Sequence, residues 1–149
     1  MTLAEMFEQP AEEVGEWIQG MQRQAARLDL PFGPIKMIYN TRSAQELGLW
    51  AWEQGKGEAF HLAAFKAYLV EEQNLATRKV LLNLVESVGL SSAEADTILK
   101  NRTYAEKFEK DWQLAKKYSI HAIPTLVLEE RKLVGAQPYD KILEFINSN

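Results

Sequence analysis

Ser119-Ile120-His121-Ala122-Ile123-Pro124-Thr125-Leu126-Val127-Leu128 is the stretch that decides the fold. It follows a run with helical periodicity, breaks at Ile123-Pro124, and continues as four β-prone, mostly apolar residues. A proline has no N–H to give a ladder, so it belongs at a strand start or edge. An X-Pro bond also adopts the cis form at small cost, usually in a specific turn. The dipeptide alone admits both isomers, and the surrounding pattern favours cis. Downstream, Glu129-Glu130-Arg131 reads as a turn, although it lacks the glycine or asparagine of a tight hairpin. Lys132 to Val134 reads as a second strand ended by Gly135, and Pro138 opens a last helix with Ile142, Leu143 and Ile146 facing inward.

Upstream the periodicity is helical throughout. Val14, Trp17, Ile18, Met21, Ala25 and Leu28 form one apolar stripe over about Pro10–Leu28. Leu30-Pro31-Phe32-Gly33-Pro34 cannot continue it, and Ile35 to Tyr39 is a short extended stretch. Asn40 or Thr41 caps a helix with Ala44, Leu47, Gly48, Ala51 and Trp52 inward, ended by Gly55 or Gly57. A third helix, from Glu58 to about Glu72, carries Phe60, Ala64, Phe65, Tyr68 and Leu69. Thr77 caps a fourth with Val80, Leu81, Leu84, Val85 and Val88, and Gly89 stops it. Ser91 with Glu94 is a capping box for a short fifth. A sixth, about Thr103–Tyr118, uses Ala105, Phe108, Trp112 and Ala115. The tryptophans fall on these stripes and read as core.

Composition narrows the chemistry. The 149 residues make one domain, or one domain with an appendage. The formal net charge is -4, so no basic footprint points to nucleic acid. Lys107, Lys110, Lys116 and Lys117 cluster among acids and read as a solvated helix face. There is no cysteine, hence no disulfide, no thiolate metal site and no thiolate nucleophile. The only histidines, His61 and His121, have no zinc-type spacing, and no metal or cofactor is expected. No apolar run approaches a membrane span, and Met1–Pro10 lacks the marks of a signal peptide, so the expected location is the cytoplasm. Adjacent pairs such as Glu71-Glu72 point apart on a helix and make poor acid/base dyads. His121 could contact a ligand, but an exposed loop residue is the plainer reading.

Three stretches together resemble the DsbA family, in particular its FrnE-like branch related to 2-hydroxychromene-2-carboxylate isomerase. Asn40-Thr41-Arg42-Ser43-Ala44 resembles the start of a helix in the family's inserted helical domain, with Gln45 where histidine is common. Ala115 to Thr125 resembles its helix exit and cis-proline loop, with Ser119 and Ala122 in place of two glycines. Gly135-Ala136-Gln137-Pro138 resembles the link between last strand and last helix.

The resemblance implies an α/β, mainly helical chain: a DsbA-like helical domain over 1–118, then the β-β-α C-terminal half of a thioredoxin-like fold over 119–149. It also implies that the strand–helix–strand half bearing Cys-x-x-Cys, or the serine of the isomerase branch, is not among these residues. Three functional readings follow. The first is a redox-silent binding or assembly module. The second is the C-terminal part of a disulfide oxidoreductase whose other half is missing or on another chain. The third, ranked last, is a glutathione-dependent isomerase-like protein. No catalytic residue is assigned. Ile123, Pro124 and Thr125 keep the substrate-contact role that the resemblance implies, toward an extended peptide. The strand after Pro124, without its family neighbour, leaves an open sheet edge expected to recruit a second copy or a partner strand.

Overall fold

In the computed structural model, residues 1–148 are described. Their order is α1 (Leu3–Phe7), α2 (Ala11–Ala26), α3 (Arg42–Glu53), α4 (Gly57–Leu69), α5 (Arg78–Ser87), α6 (Ser92–Asn101), α7 (Ala105–Lys117), β1 (Thr125–Leu128), β2 (Arg131–Val134) and α8 (Tyr139–Asn147). The chain divides into two compact units, Met1–Phe108 and the residues from Glu109 onward. The division falls within α7.

In the first unit α3, α4, α5 and α6 pack on one another. Their buried faces meet in a core of Leu47, Trp50, Ala51, Phe60, Ala67, Leu81, Val85 and Ala95. Trp50, 2% exposed, is its largest member, and its buried Nε1 has no hydrogen-bond partner among the described residues. A smaller core joins Leu3, Val14, Ile18 and Ile35, so α1 and α2 close against the extended stretch before α3. Thr2 bridges Met37 in antiparallel fashion, Leu3 N–H donates to Lys36 O at 3.0 Å, and Ile38 N–H donates to Met1 O at 3.0 Å. Gly33 belongs to the same seam. Its N–H donates to Leu69 O at 2.6 Å, and a Cβ there would lie 2.9 Å from Val70 O. Only glycine lets the two backbones approach so closely.

In the second unit β1 and β2 form an antiparallel hairpin pairing Thr125 with Val134 and Leu128 with Arg131. The connection is the two-residue turn Glu129-Glu130, shorter than the sequence suggests, and β2 starts at Arg131 rather than Lys132. Glu129 takes φ 56°, a left-handed conformation that glycine adopts at less cost. No described residue from Glu109 to Ser148 is buried.

Several apolar side chains lie outside the cores expected for them. Trp17, Met21 and Leu28 are exposed, and α2 ends at Ala26, short of Leu28. The row of α2 that packs is Val14 and Ile18, which leaves Trp17 and Met21 on its flank. On α3 the core tryptophan is Trp50, on the row of Leu47 and Ala51, whereas Trp52 lies one step around the helix and is 59% exposed. Phe65 is exposed because α4 buries the row Phe60, Ala64 and Ala67. Trp112, Leu143 and Ile146 are exposed as well, and α8 buries nothing fully; a two-stranded ribbon is too small a layer to cover a helix face. Three of the four tryptophans are therefore surface residues. The short helix α1, absent from the sequence reading, forms because Thr2 and Glu5 make a reciprocal capping box.

Candidate functional site

The loop from α7 into β1 is built by a helix stop. Ser119 N–H donates to Lys116 O at 2.8 Å and Ile120 N–H to Ala115 O at 3.0 Å. With Ser119 at φ 49° this is a Schellman end, in which serine holds the position glycine favours. His121, Ala122, Ile123 and Pro124 are all exposed, and Ile123 is 90% exposed. The Ile123–Pro124 peptide bond is cis. Thr125 Oγ1 donates to Ala122 O at 2.6 Å, and Gly135 N–H donates to Pro124 O at 2.8 Å. Ile123, Pro124 and Thr125 therefore stand together on one tied loop, with Ile123 projecting into solvent.

The hairpin register determines which groups remain available. Pro124 O is bonded to Gly135 across the ladder, and antiparallel pairs alternate between bonded and non-bonded. Leu126 and Leu128 therefore bond toward β2, whereas Thr125 and Val127 direct their N–H and C=O groups to the opposite edge. Among the described residues no strand pairs with that edge.

The strongest polar site is elsewhere and escaped the sequence reading. Glu46 on α3 is 1% exposed. Its carboxylate accepts from Arg42 Nε at 3.1 Å, Arg102 Nε at 3.0 Å and Arg102 Nη2 at 2.5 Å. Arg42 also lies over the Phe108 ring, 4.9 Å from its centroid. Burial pushes the Glu46 carboxyl up, but the hydrogen bonds from Arg102 and Arg42 outweigh it and hold the group below the ordinary carboxylate value. The signal was present: Arg42 and Glu46 stand four residues apart, a helical ion-pair spacing. Arg102, far off in sequence, gave no such signal. This cluster pins α3 to the turn after α6, and its carboxylate is fully engaged, so it serves architecture better than acid/base chemistry.

Glu53 accepts from Tyr104 Oη and, at 2.7 Å, from Lys107 Nζ. Lys107, Lys110, Lys116 and Lys117 are all exposed, as a solvated face requires, and Lys107 adds the pair with Glu53. His61 is partly packed, with Nδ1 2.8 Å from Gly57 O and its ring beside Trp52, Phe60 and Phe65. Gln45 Nε2 donates to Thr41 Oγ1 at 3.0 Å. Among the described residues no three His, Cys, Asp or Glu side chains are grouped to hold a metal ion, and no helix is long and apolar enough to cross a membrane.

The DSBA-like thioredoxin domain profile matches residues 6–147, nearly the whole chain. The chain belongs to that family. It is also similar to YwbO, an uncharacterized protein of Bacillus subtilis (strain 168), with 28% identity over 127 residues. That match covers 83% of this chain and 64% of YwbO, so the chain spans less than two thirds of its relative's length. The DsbA-like fold relates this chain to thiol–disulfide oxidoreductases, while its own sequence contains no cysteine.

Proposed function

We propose that this DsbA-like chain is a binding and assembly module without redox chemistry of its own, taking an extended strand along β1. The observation that carries the reading is the outer edge of β1, where among the described residues no strand pairs with Thr125 and Val127, beside exposed Ile123 and Pro124. An edge of this kind gains hydrogen bonds by accepting another strand, from a second copy or from an extended peptide. No described residue beyond Phe108 is buried, which supports the same reading, because a unit of this size without a core gains burial by association. Within the family, the stretches 40–44, 115–125 and 135–138, in their order and spacing together, favour the FrnE-like branch.

The test is sedimentation of Val127→Pro against the unaltered chain. Proline is tolerated where the strand N–H faces away from its ladder, so this change blocks the edge and spares the hairpin. Loss of self-association, or of binding to a β-strand peptide, in Val127→Pro is the expected result. A chain that is monomeric and binds no strand peptide before the substitution would sink the proposal.

A second reading rests on the family match together with the 64% coverage of YwbO: the chain acts as one part, the C-terminal part, of a disulfide oxidoreductase. Adding a separate strand–helix–strand fragment that carries Cys-x-x-Cys would then produce insulin reduction exceeding that of the fragment alone. No gain in activity rejects this second reading and leaves the first standing.

A further inference from the structure

Within the first unit, α1, α2 and the stretch 34–36 enclose an open groove of about 510 Å³. This is the size of a site that receives a few large side chains or a small molecule. Its floor is the small core, with Leu3, Val14, Ile18 and Ile35 holding one another in place. Its width depends on Gly15, where an added Cβ would meet nothing within 4 Å. A glycine inside a helix costs about 1 kcal/mol relative to alanine, and here it leaves the groove open. Beside the groove, α1 and α2 also expose Met6, Phe7, Trp17 and Met21, and the Phe7 and Trp17 rings meet edge to face at 5.8 Å. Flexible methionines and aromatic rings are well suited to binding an apolar helix face.

The charge beside the groove is mostly acidic along α1 and the first half of α2. Residues 1–22 carry Glu5, Glu8, Glu12, Glu13 and Glu16 and no lysine or arginine. At 100° per residue, Glu12 and Glu16 follow directly on the groove row of Ala11, Gly15 and Gln19. Among the described residues Lys36 is the one charged group that lines the groove, and Arg23 shares the row of Glu12 and Glu16. The longer wall, α2, is a helix whose backbone groups are bonded within it over its middle turns. An extended strand would find no ladder there, so an occupant lying along α2 must satisfy its own backbone.

We propose that this groove receives a basic amphipathic helix of a partner protein, with its apolar face on Leu3, Val14, Gly15 and Ile18 and its lysines or arginines over Glu12 and Glu16. An anionic amphiphile would meet Glu12 and Glu16 on the row beside the groove.

The probe is a fluorescein-labelled peptide of leucine and lysine, amphipathic over about four helical turns, titrated with the full chain. A leucine and glutamate peptide of the same pattern is the control. The lysine peptide should bind at micromolar level, weaken several-fold as salt rises from low to high, and quench or shift Trp17 fluorescence. Gly15→Leu should fill the groove and lower affinity at least tenfold while leaving the thermal melt intact. The double variant Glu12→Lys/Glu16→Lys, which does not alter the groove's shape, should lower affinity and flatten the salt dependence. This second variant decides the matter if Gly15→Leu fails to fold. Equal binding of the glutamate peptide, undiminished affinity in a folded Gly15→Leu or in the double variant, or no binding of the lysine peptide would each overturn the proposal.

Discussion

Glu46 shows how much one side chain contributes here. Replacing it with alanine removes the shared acceptor of two guanidinium groups from a closed site and leaves a cavity at the α3 surface. The Arg42 and Arg102 side chains are 37% and 50% exposed, so water recovers part of the loss. We expect Glu46→Ala to cost about 2 kcal/mol, below the range for a fully buried pair, read as a shift in the urea midpoint. The pH dependence has a definite sign. Glu46, Glu53 and Asp96 all sit below their ordinary carboxylate values in the folded chain: Glu46 because the Arg102 and Arg42 bonds outweigh burial, Glu53 through Lys107 and Tyr104, Asp96 through Arg78 and Lys100. Their contribution is present above the unfolded carboxyl pKa and is lost as pH falls through the lower folded values, so the urea midpoint should drop in the acid range below about pH 4. At the other end, burial and then the Glu53 bond push Tyr104 up to about 12. The stability tied to its neutral form is lost as pH rises from the ordinary phenol range toward that value. Glu53→Gln should lower the last phenolate step in an ultraviolet titration.

At the scale of elements, two close approaches control the architecture. Gly33 lies where a Cβ would press on the carbonyls of Val70 and Leu69. Gly33→Ala should therefore push the 33–39 stretch off the end of α4 and cost about 2 kcal/mol, visible as a lower melting temperature. At the N-terminus, Thr2 and Glu5 cap α1 through both halves of a reciprocal pair. Thr2→Ala should cost about 1 kcal/mol and reduce amide protection along α1, since a five-residue helix has few other hydrogen bonds to hold it. The hairpin carries the opposite opportunity. Glu129 occupies a left-handed position, so Glu129→Gly should leave hairpin stability unchanged or raise it by up to about 1 kcal/mol.

Over the whole molecule, burial is uneven. The core of Trp50, Phe60, Leu47 and Leu81 lies in the unit Met1–Phe108, and beyond Phe108 nothing described is buried. Local opening should therefore be easiest in the C-terminal unit. Limited proteolysis should cut there first and leave a resistant fragment ending near Phe108. Hydrogen exchange should show fast exchange at the amides of Thr125 and Val127 and slower exchange at Leu126, which bonds toward β2. Protection of Val127 at high protein concentration would be the mark of a strand seated on the edge.

Local sequence sufficed for the helices from α2 to α7, the change to β1, β2 and a last helix after Pro124, the family, and the lack of any thiol in this chain, but not for α1. These follow from local rules: apolar spacing, cap residues, breakers and composition act within a few residues of one another. Tertiary structure alone decided which aromatic side chains are buried. Trp50 and Trp52 are equally apolar neighbours on α3, and only the position of α4, α5 and α6 selects between them. It alone brought Arg102 to Glu46, a partner more than fifty residues away that no periodicity announces. It alone opened the groove between α1 and α2, because a cavity is what packing leaves unfilled. And the hairpin register, fixed by the bond from Gly135 to Pro124, decided which backbone groups of β1 remain free.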